Sequence, residues 1–391
     1  LRAEAADNSA RRAALPVLIG AQTLGQLASG GGRIAVPLFA LHLGASTFTV
    51  GAVVACYALL SSFLSIHAGR LVDRIGPRWP IVLGMAGQAF GLAIPALWHS
   101  VWGLALSAAI MGPCGGLFLI AVNKTAGLIS DERSRAGTYS WISISQSVAQ
   151  FAGPPLAGLL IDHSSHPIAF SALAAIGAAT AIALVGLRHR IPGAGQGSPT
   201  ATPRLRELLA LPRLRPVFIV CALLPIGWEL FFFFVPLHGT ALGLSATSIG
   251  LVFSCLSITV IASRAAVPWL VKRVSDWTLI AIALGTAGAV FLMFPFTQST
   301  AAMMATAVIL GAGMGLSHPV MLALLYRMAP GGRQGEAMGI RSTMIFAAQI
   351  VAPLGLGAIS AGMGLAPALW PFALLLLAGS RYSHRQSPPK A

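Results

Sequence analysis

A chain of 391 residues with 56% hydrophobic and only 9% charged side chains is unlike a soluble globular domain, where about a quarter of the residues are charged. That composition excludes a soluble enzyme and a disordered chain, and leaves a polytopic membrane protein. The net charge of +15 does not point to nucleic acid, because the basic residues sit between apolar runs, where they set membrane orientation.

Leu1 to Leu15 is polar, with Arg11 and Arg12, and reads as a cytoplasmic tail. Twelve apolar runs follow, near 15–42, 48–68, 80–98, 102–126, 138–161, 167–187, 216–242, 248–270, 277–296, 301–327, 338–361 and 365–380. They approximate the roughly 20 residues that a membrane-crossing helix needs. The expected fold is therefore all-α, with 12 transmembrane helices. Lys and Arg fall in every second connection: Arg70, Arg74 and Arg78; Arg133 and Arg135; Arg188 to Arg215; Lys272 and Arg273; Arg333; then Arg381, Arg385 and Lys390. The intervening connections carry none, which predicts both termini in the cytoplasm. Short loops suggest a bacterial inner membrane. Cys56, Cys114, Cys221 and Cys255 all lie inside apolar runs, against a disulfide framework or a zinc site. No cofactor and no metal is expected. The connection 188–215, with Gly-Ala-Gly-Gln-Gly-Ser-Pro, is a polar flexible linker that separates an N-terminal bundle (1–187) from a C-terminal one (216–391).

The two halves repeat. Pro37-Leu38 recurs as Pro236-Leu237, an offset of 199 residues, and Leu43-Gly44-x-Ser46 recurs as Leu242-Gly243-x-Ser245. The same offset pairs Gly51 with Gly250, Cys56 with Cys255, Arg74 with Arg273, Gln150 with Gln349, Pro154 with Pro353 and Gly158 with Gly357. Two parallel six-helix bundles related by a pseudo-twofold axis along the membrane normal are the expectation, a build whose substrate site lies near mid-membrane.

Between the second and third runs stands Gly69-Arg70-Leu71-Val72-Asp73-Arg74-Ile75-Gly76-Pro77-Arg78. Gly69 lets helix ends approach closely, Gly76 permits a tight turn, and Asp73 can face the positive end of a helix. Positive-inside bias alone would account for the arginines, but not for Gly69, Asp73 and Gly76. This segment resembles the glycine-x-leucine-x-aspartate-arginine-x-glycine-x-arginine/lysine motif of the major facilitator superfamily. The second copy, Pro268 to Ser275, lacks the glycines and the aspartate. The resemblance implies a cytoplasmic latch formed by Gly69, Asp73, Arg74, Gly76 and Arg78. In the fifth run, Ala149 to Gly158 partly resembles the antiporter motif of the family, with Gly153, Pro154 and Gly158 in place and Ala149 and Ala157 replacing glycines. Small residues four apart let helices pack closely, and Pro154 removes a backbone donor, so ordinary packing is the competing explanation.

Ionisable residues at membrane depth are costly unless paired or hydrated. Glu229 lies 12 residues beyond Val217, roughly 18 Å along a helix, and is the proton-carrier candidate. Arg33 in the first run aligns with Phe232 through the repeat, and an Arg33–Glu229 pair is the expected charge couple. Gln22, Gln26, Ser29 and Arg33 share one helix face; Gln146 and Gln150 in the fifth run and Gln349 in the eleventh repeat the idea. Interhelical hydrogen bonding would equally explain the glutamines. His318 falls mid-run and His238 nearer the outer mouth; either is also explained as a structural histidine. Arg264 and Lys124 are expected to snorkel; facing a cavity, they would favour anions. Trp228 and Phe232 offer an apolar wall beside Glu229.

These features point to a secondary transporter, not an enzyme, with no nucleic-acid partner. Its partners would be a small-molecule substrate, protons and the lipid bilayer, and a monomer is expected. The resemblance implies alternating access and proton-coupled export of an amphipathic drug or metabolite. The alternative is a symporter or exchanger for an organic anion, with Arg33 as the carboxylate clamp.

Overall fold

The computed structural model describes residues 2–130, 135–191, 211–330 and 334–387. Most of the linker expected between the bundles, with the amphipathic stretch around Leu205 to Leu209, lies outside them, as do Arg133, Arg333 and Lys390. Among the described residues all regular structure is helical: α1 (Arg2–His42), α2 (Thr47–Ile75), α3 (Arg78–Leu97), α4 (Val101–Ile129), α5 (Arg135–His163), α6 (His166–Leu187), α7 (Arg215–Ala241), α8 (Ala246–Leu270), α9 (Asp276–Met293), α10 (Thr300–Met328), α11 (Gln334–Met363) and, after the short turn Leu365–Ala368, α12 (Trp370–Arg385). The segment expected as an N-terminal tail is helical and continuous with the first run.

Nine of the described helices are long and apolar enough to cross a membrane. The three that fall short are α1, α5 and α12. The first two carry the glutamine and serine stripes, and α12 is short and ends in Ser-Arg-Tyr-Ser-His-Arg, so polar residues dilute each. The chain is a multi-pass membrane protein.

The repeat has a local physical cause. Gly44 and Gly243 follow α1 and α7 with φ of 76° and 72°, the left-handed conformation that ends helices and that glycine adopts without strain. Two residues on, the hydroxyl oxygens of Ser46 and Ser245 accept from the amides of Thr49 and Ser248 at 3.2 and 3.1 Å and cap the next helix. Ser100 and Ser299, also 199 apart, cap α4 and α10 in the same way. The repeated Leu-Gly-x-Ser is a stop and a start signal.

The chain forms two compact units: Leu1–Leu43 with Cys56–Pro199, and Gly44–Ala55 with Thr200–Ala391. In the first, Leu18, Ile81, Met85, Phe118, Val122 and Leu184 form a buried core. Gly153 of α5 lets that helix close on α1, since a Cβ there would stand 2.7 Å from the Leu27 carbonyl oxygen. In the second unit the start of α2 packs on α11. Ser360 Oγ lies 2.8 Å from Thr47 Oγ1, and a Cβ on Gly51 would come within 2.5 Å of the Pro353 carbonyl oxygen. The second unit therefore takes this one segment from across the boundary of the repeat.

Candidate functional site

In the first unit, α1 carries the predicted polar stripe. Gln22 is fully buried, and neither of its amide atoms has a hydrogen-bond partner among the described residues. Gln26, Ser29 and Arg33 stay partly accessible along the same face. The charge of Arg33 reaches Tyr57 of α2, whose hydroxyl lies 3.6 Å from Met111 Sδ. Tyr57 was not distinguished by sequence, because nothing in its apolar run marks it. On α5, Gln146 is half-buried and Gln150 exposed, while Gly153, Pro154 and Gly158 are buried.

The motif turn takes a defined form. Gly76 has a φ of 80°, as a tight turn after α2 requires. The Asp73 carboxylate accepts from Lys124 Nζ of α4 at 2.7 Å, and the same ammonium donates to the Val72 carbonyl oxygen at 3.0 Å. Lys124, expected to snorkel, extends to the corner of α2, where two acceptors lie within its reach. No described atom stands within 4 Å of a Cβ built on Gly69, so the close approach expected at that glycine is absent. Arg74 is exposed. Arg78 Nε donates to the Ile191 carbonyl oxygen.

Four acids have described side chains (Asp73, Asp162, Glu229 and Asp276), and of these only Glu229 of α7, in the second unit, is buried, at 5% exposure. Its neighbours in sequence are aromatic. Phe231, Phe233 and Phe234 are fully buried, and Phe231 packs edge-on against Phe253 and Phe294 at 5.2 and 6.0 Å. These are core contacts. Trp228 and Phe232 remain partly accessible. His238 is structural in its contacts: Nε2 lies 2.9 Å from the Thr297 carbonyl oxygen, and the ring stacks on Phe234 at 5.0 Å.

His318 of α10 is exposed, and the charges of Arg264 on α8 and Arg341 on α11 both act on it. The Arg341 charge also reaches Cys221 of α7. The Nε of Arg264 is buried without a hydrogen-bond partner among the described residues. Cys221, Arg264, His318 and Arg341, from four helices of this unit, thus form one electrostatically linked basic cluster. Gln349, two turns beyond Arg341 on α11, is half-buried. Arg341 was missed from sequence because it stands near the start of its run, where an arginine reads as orientation. His42, His99 and His166 gather around Phe39 in the first unit, with His42 and His166 stacked at 4.6 Å; their separation in sequence concealed this cluster. Among the described residues, no group of three or more His, Cys, Asp or Glu could hold a metal ion.

The family profile of the Major Facilitator Superfamily matches residues 18–353. The chain belongs to the major facilitator superfamily. It is 27% identical over 317 residues to the inner membrane transport protein YajR of Escherichia coli (strain K12), covering 78% of this chain and 67% of that protein. The tetracycline resistance protein, class G, of Vibrio anguillarum is 25% identical, over 79% of this chain and 80% of that protein. The quinolone resistance protein NorA of Staphylococcus aureus (strain MSSA476) is 23% identical, over 83% and 84%. Among solved structures, a POT family transporter in complex with 5-aminolevulinic acid aligns with a TM-score of 0.83 at 14% identity, covering 96% of both chains. The nucleoside transporter NupG aligns with a TM-score of 0.80 at 13% identity, over 95% of this chain and 99% of that one. Likeness at such identity speaks for the fold. The family is one of transporters, and a small-molecule substrate within the membrane follows from membership.

Proposed function

We propose that this transporter is a proton-coupled exporter of small amphipathic molecules, working by alternating access in a bacterial inner membrane with both termini cytoplasmic and built as twelve spans in two six-helix bundles, 1–187 and 216–391. The burial of Glu229 carries the reading. Glu229 is the buried acid among the described side chains, at 5% exposure in an apolar helix; intramembrane ionisable residues mark ion pathways and proton relays, and a transporter that takes up and releases a proton there couples transport to the gradient. The tetracycline and quinolone resistance proteins among its relatives support export as the direction. Arg33, Gln26, Ser29, Gln146, Gln150 and Gln349 supply polar contacts, with Trp228 and Phe232 as apolar wall; the motif turn at Asp73 and Arg74 and the packed face at Gly153, Pro154 and Gly158 serve the conformational change.

The basic cluster favours a second reading for the substrate class, an organic anion held by Arg264 and Arg341. A guanidinium binds a carboxylate bidentately, and His318 beside the two arginines adds a donor.

Proteoliposomes with an imposed pH gradient test the proposal, using tetracycline, a quinolone and an aromatic monocarboxylate as probes. Export predicts substrate movement opposite to protons. Movement with protons, confined to the carboxylate, supports the second reading. Indifference to the gradient for all three overturns proton coupling.

A further inference from the structure

The second unit has a groove of about 580 Å³ between α9 and α12, a size within the roughly 300–1,000 Å³ range of small-molecule sites. Its floor is made by Ile282 and Gly285 of α9, and its rim by Thr278 together with Arg381, His384 and Arg385 of α12. Gly285 brings the helices together, since a Cβ there would meet Ser380 Oγ at 2.9 Å. Arg381, His384 and Arg385 are spaced three and four apart, so they share one helix face, and all three are exposed. None has a side-chain hydrogen bond or ion pair to a described residue. No acid lines the groove, and the nearby Asp276 at the start of α9 is taken by Arg327.

The repeat supplies an internal control. The corresponding helices of the first unit, α3 and α6, also enclose a groove of about 560 Å³, but it is displaced toward the opposite end of the helix pair and shares only Ala86, Ala181 and Ile182 with the equivalent lining, so the two units compare position by position. The positions equivalent to Arg381, His384 and Arg385 are Ile182, Val185 and Gly186, also exposed. At the end of that helix pair Arg188 lies over the Trp79 ring at 5.3 Å, and Arg78 is bound to the Ile191 carbonyl oxygen. At equivalent positions the first unit thus presents Ile182, Val185 and Gly186, and the second presents Arg381, His384 and Arg385 at the basic end of its spans.

We propose that the groove between α9 and α12 is a binding site for an anionic phospholipid. The phosphate sits between Arg381, His384 and Arg385, with Thr278 as a hydroxyl donor, and an acyl chain lies along Ile282 and Gly285. Basic clusters at this depth attract anionic headgroups, and the apolar floor gives the lipid a contact that a free phosphate would not use.

The test is lipid retention by the full-length protein. The protein is reconstituted in nanodiscs of equal phosphatidylglycerol and phosphatidylcholine and then moved into detergent. The lipid that stays bound is counted by native mass spectrometry. The wild type is expected to keep phosphatidylglycerol preferentially, and Arg381→Ala with Arg385→Ala to lower that preference by roughly fivefold per arginine. Lys272→Ala with Arg213→Ala removes equal charge from exposed positions of the same unit and should leave the preference intact. Ile282→Trp fills the floor without altering charge and should also expel the lipid. Thermal melting of each variant in detergent confirms folding. Equal losses from the two double variants would show diffuse attraction and overturn the site. Retention in Ile282→Trp would overturn the acyl-chain contact, and displacement by inorganic phosphate alone would make the ligand a free anion.

Discussion

The two corners that join α2 to α3 and α8 to α9 occupy equivalent places in the repeat, yet sequence makes only one of them conspicuous. In the first, Asp73 at the end of α2 pairs with Lys124 of α4. In the second, the aspartate and glycines of the motif are gone, but Asp276 at the start of α9 pairs with Arg327 of α10. Each corner is thus tied to the following long helix by an acid and a base at non-equivalent positions. Arg273, the relic of the motif, stacks on Trp269 at 4.1 Å. A motif can decay in sequence while the contact it made is rebuilt from other residues.

The charge inside the units differs more deeply. The second unit holds both the buried acid and the cluster of Arg264, His318 and Arg341; the repeat-equivalent positions in the first are Ser65, Leu119 and Ile142. If that asymmetry defines the substrate, Arg264→Gln or Arg341→Gln should raise the KM for a carboxylate-bearing substrate by about tenfold to a hundredfold. That is the equivalent of one charge-assisted hydrogen bond of about 1.5–3 kcal/mol. A neutral substrate should be much less affected, and initial-rate uptake in vesicles separates the two. Equal effects on both would erase the asymmetry.

The close packing of α5 on α1 gives the next effect. Gly153→Leu should destabilise the first unit by about 1–3 kcal/mol through overpacking against the Leu27 carbonyl, seen as a lower melting temperature in detergent. Gly76→Ala, at a positive φ, should cost about 1–2 kcal/mol. Ser275→Ala, at the equivalent place in the other corner, should cost about 1 kcal/mol through loss of the cap to Thr278. The smallest contrast lies in the ion pairs. Lys124→Ala should cost about 1 kcal/mol because it also removes the bond to Val72, and Arg327→Ala about 1–3 kcal/mol, because the Asp276 carboxylate it strands is only 14% exposed. Matching losses would mean that the corners are equally fastened.

Helix order and the repeat were legible because apolar runs, glycine stops and serine caps are local signals: Gly44 with Ser46 and Gly243 with Ser245 can be read without knowing what the helices touch. The partners of charged residues were not. Lys124 could be placed on its helix, but which acceptors lay beside it depended on the bend of the chain at Gly76. Arg341 is unmarked in its own run, and only the packing of α8, α10 and α11 sets its charge within reach of His318. Glu229 was found from sequence because an acid at that depth is costly unless paired or hydrated, whereas Gln22, on the same evidence as Gln26, proved to be fully buried.

The central claim is that Glu229 carries the coupled proton. It is tested most directly by comparing gradient-driven transport with substrate exchange at equal pH on both sides, in wild type and Glu229→Gln. The account predicts that the variant still exchanges substrate but no longer accumulates it when a pH gradient is imposed. Accumulation by Glu229→Gln at the wild-type level would contradict it.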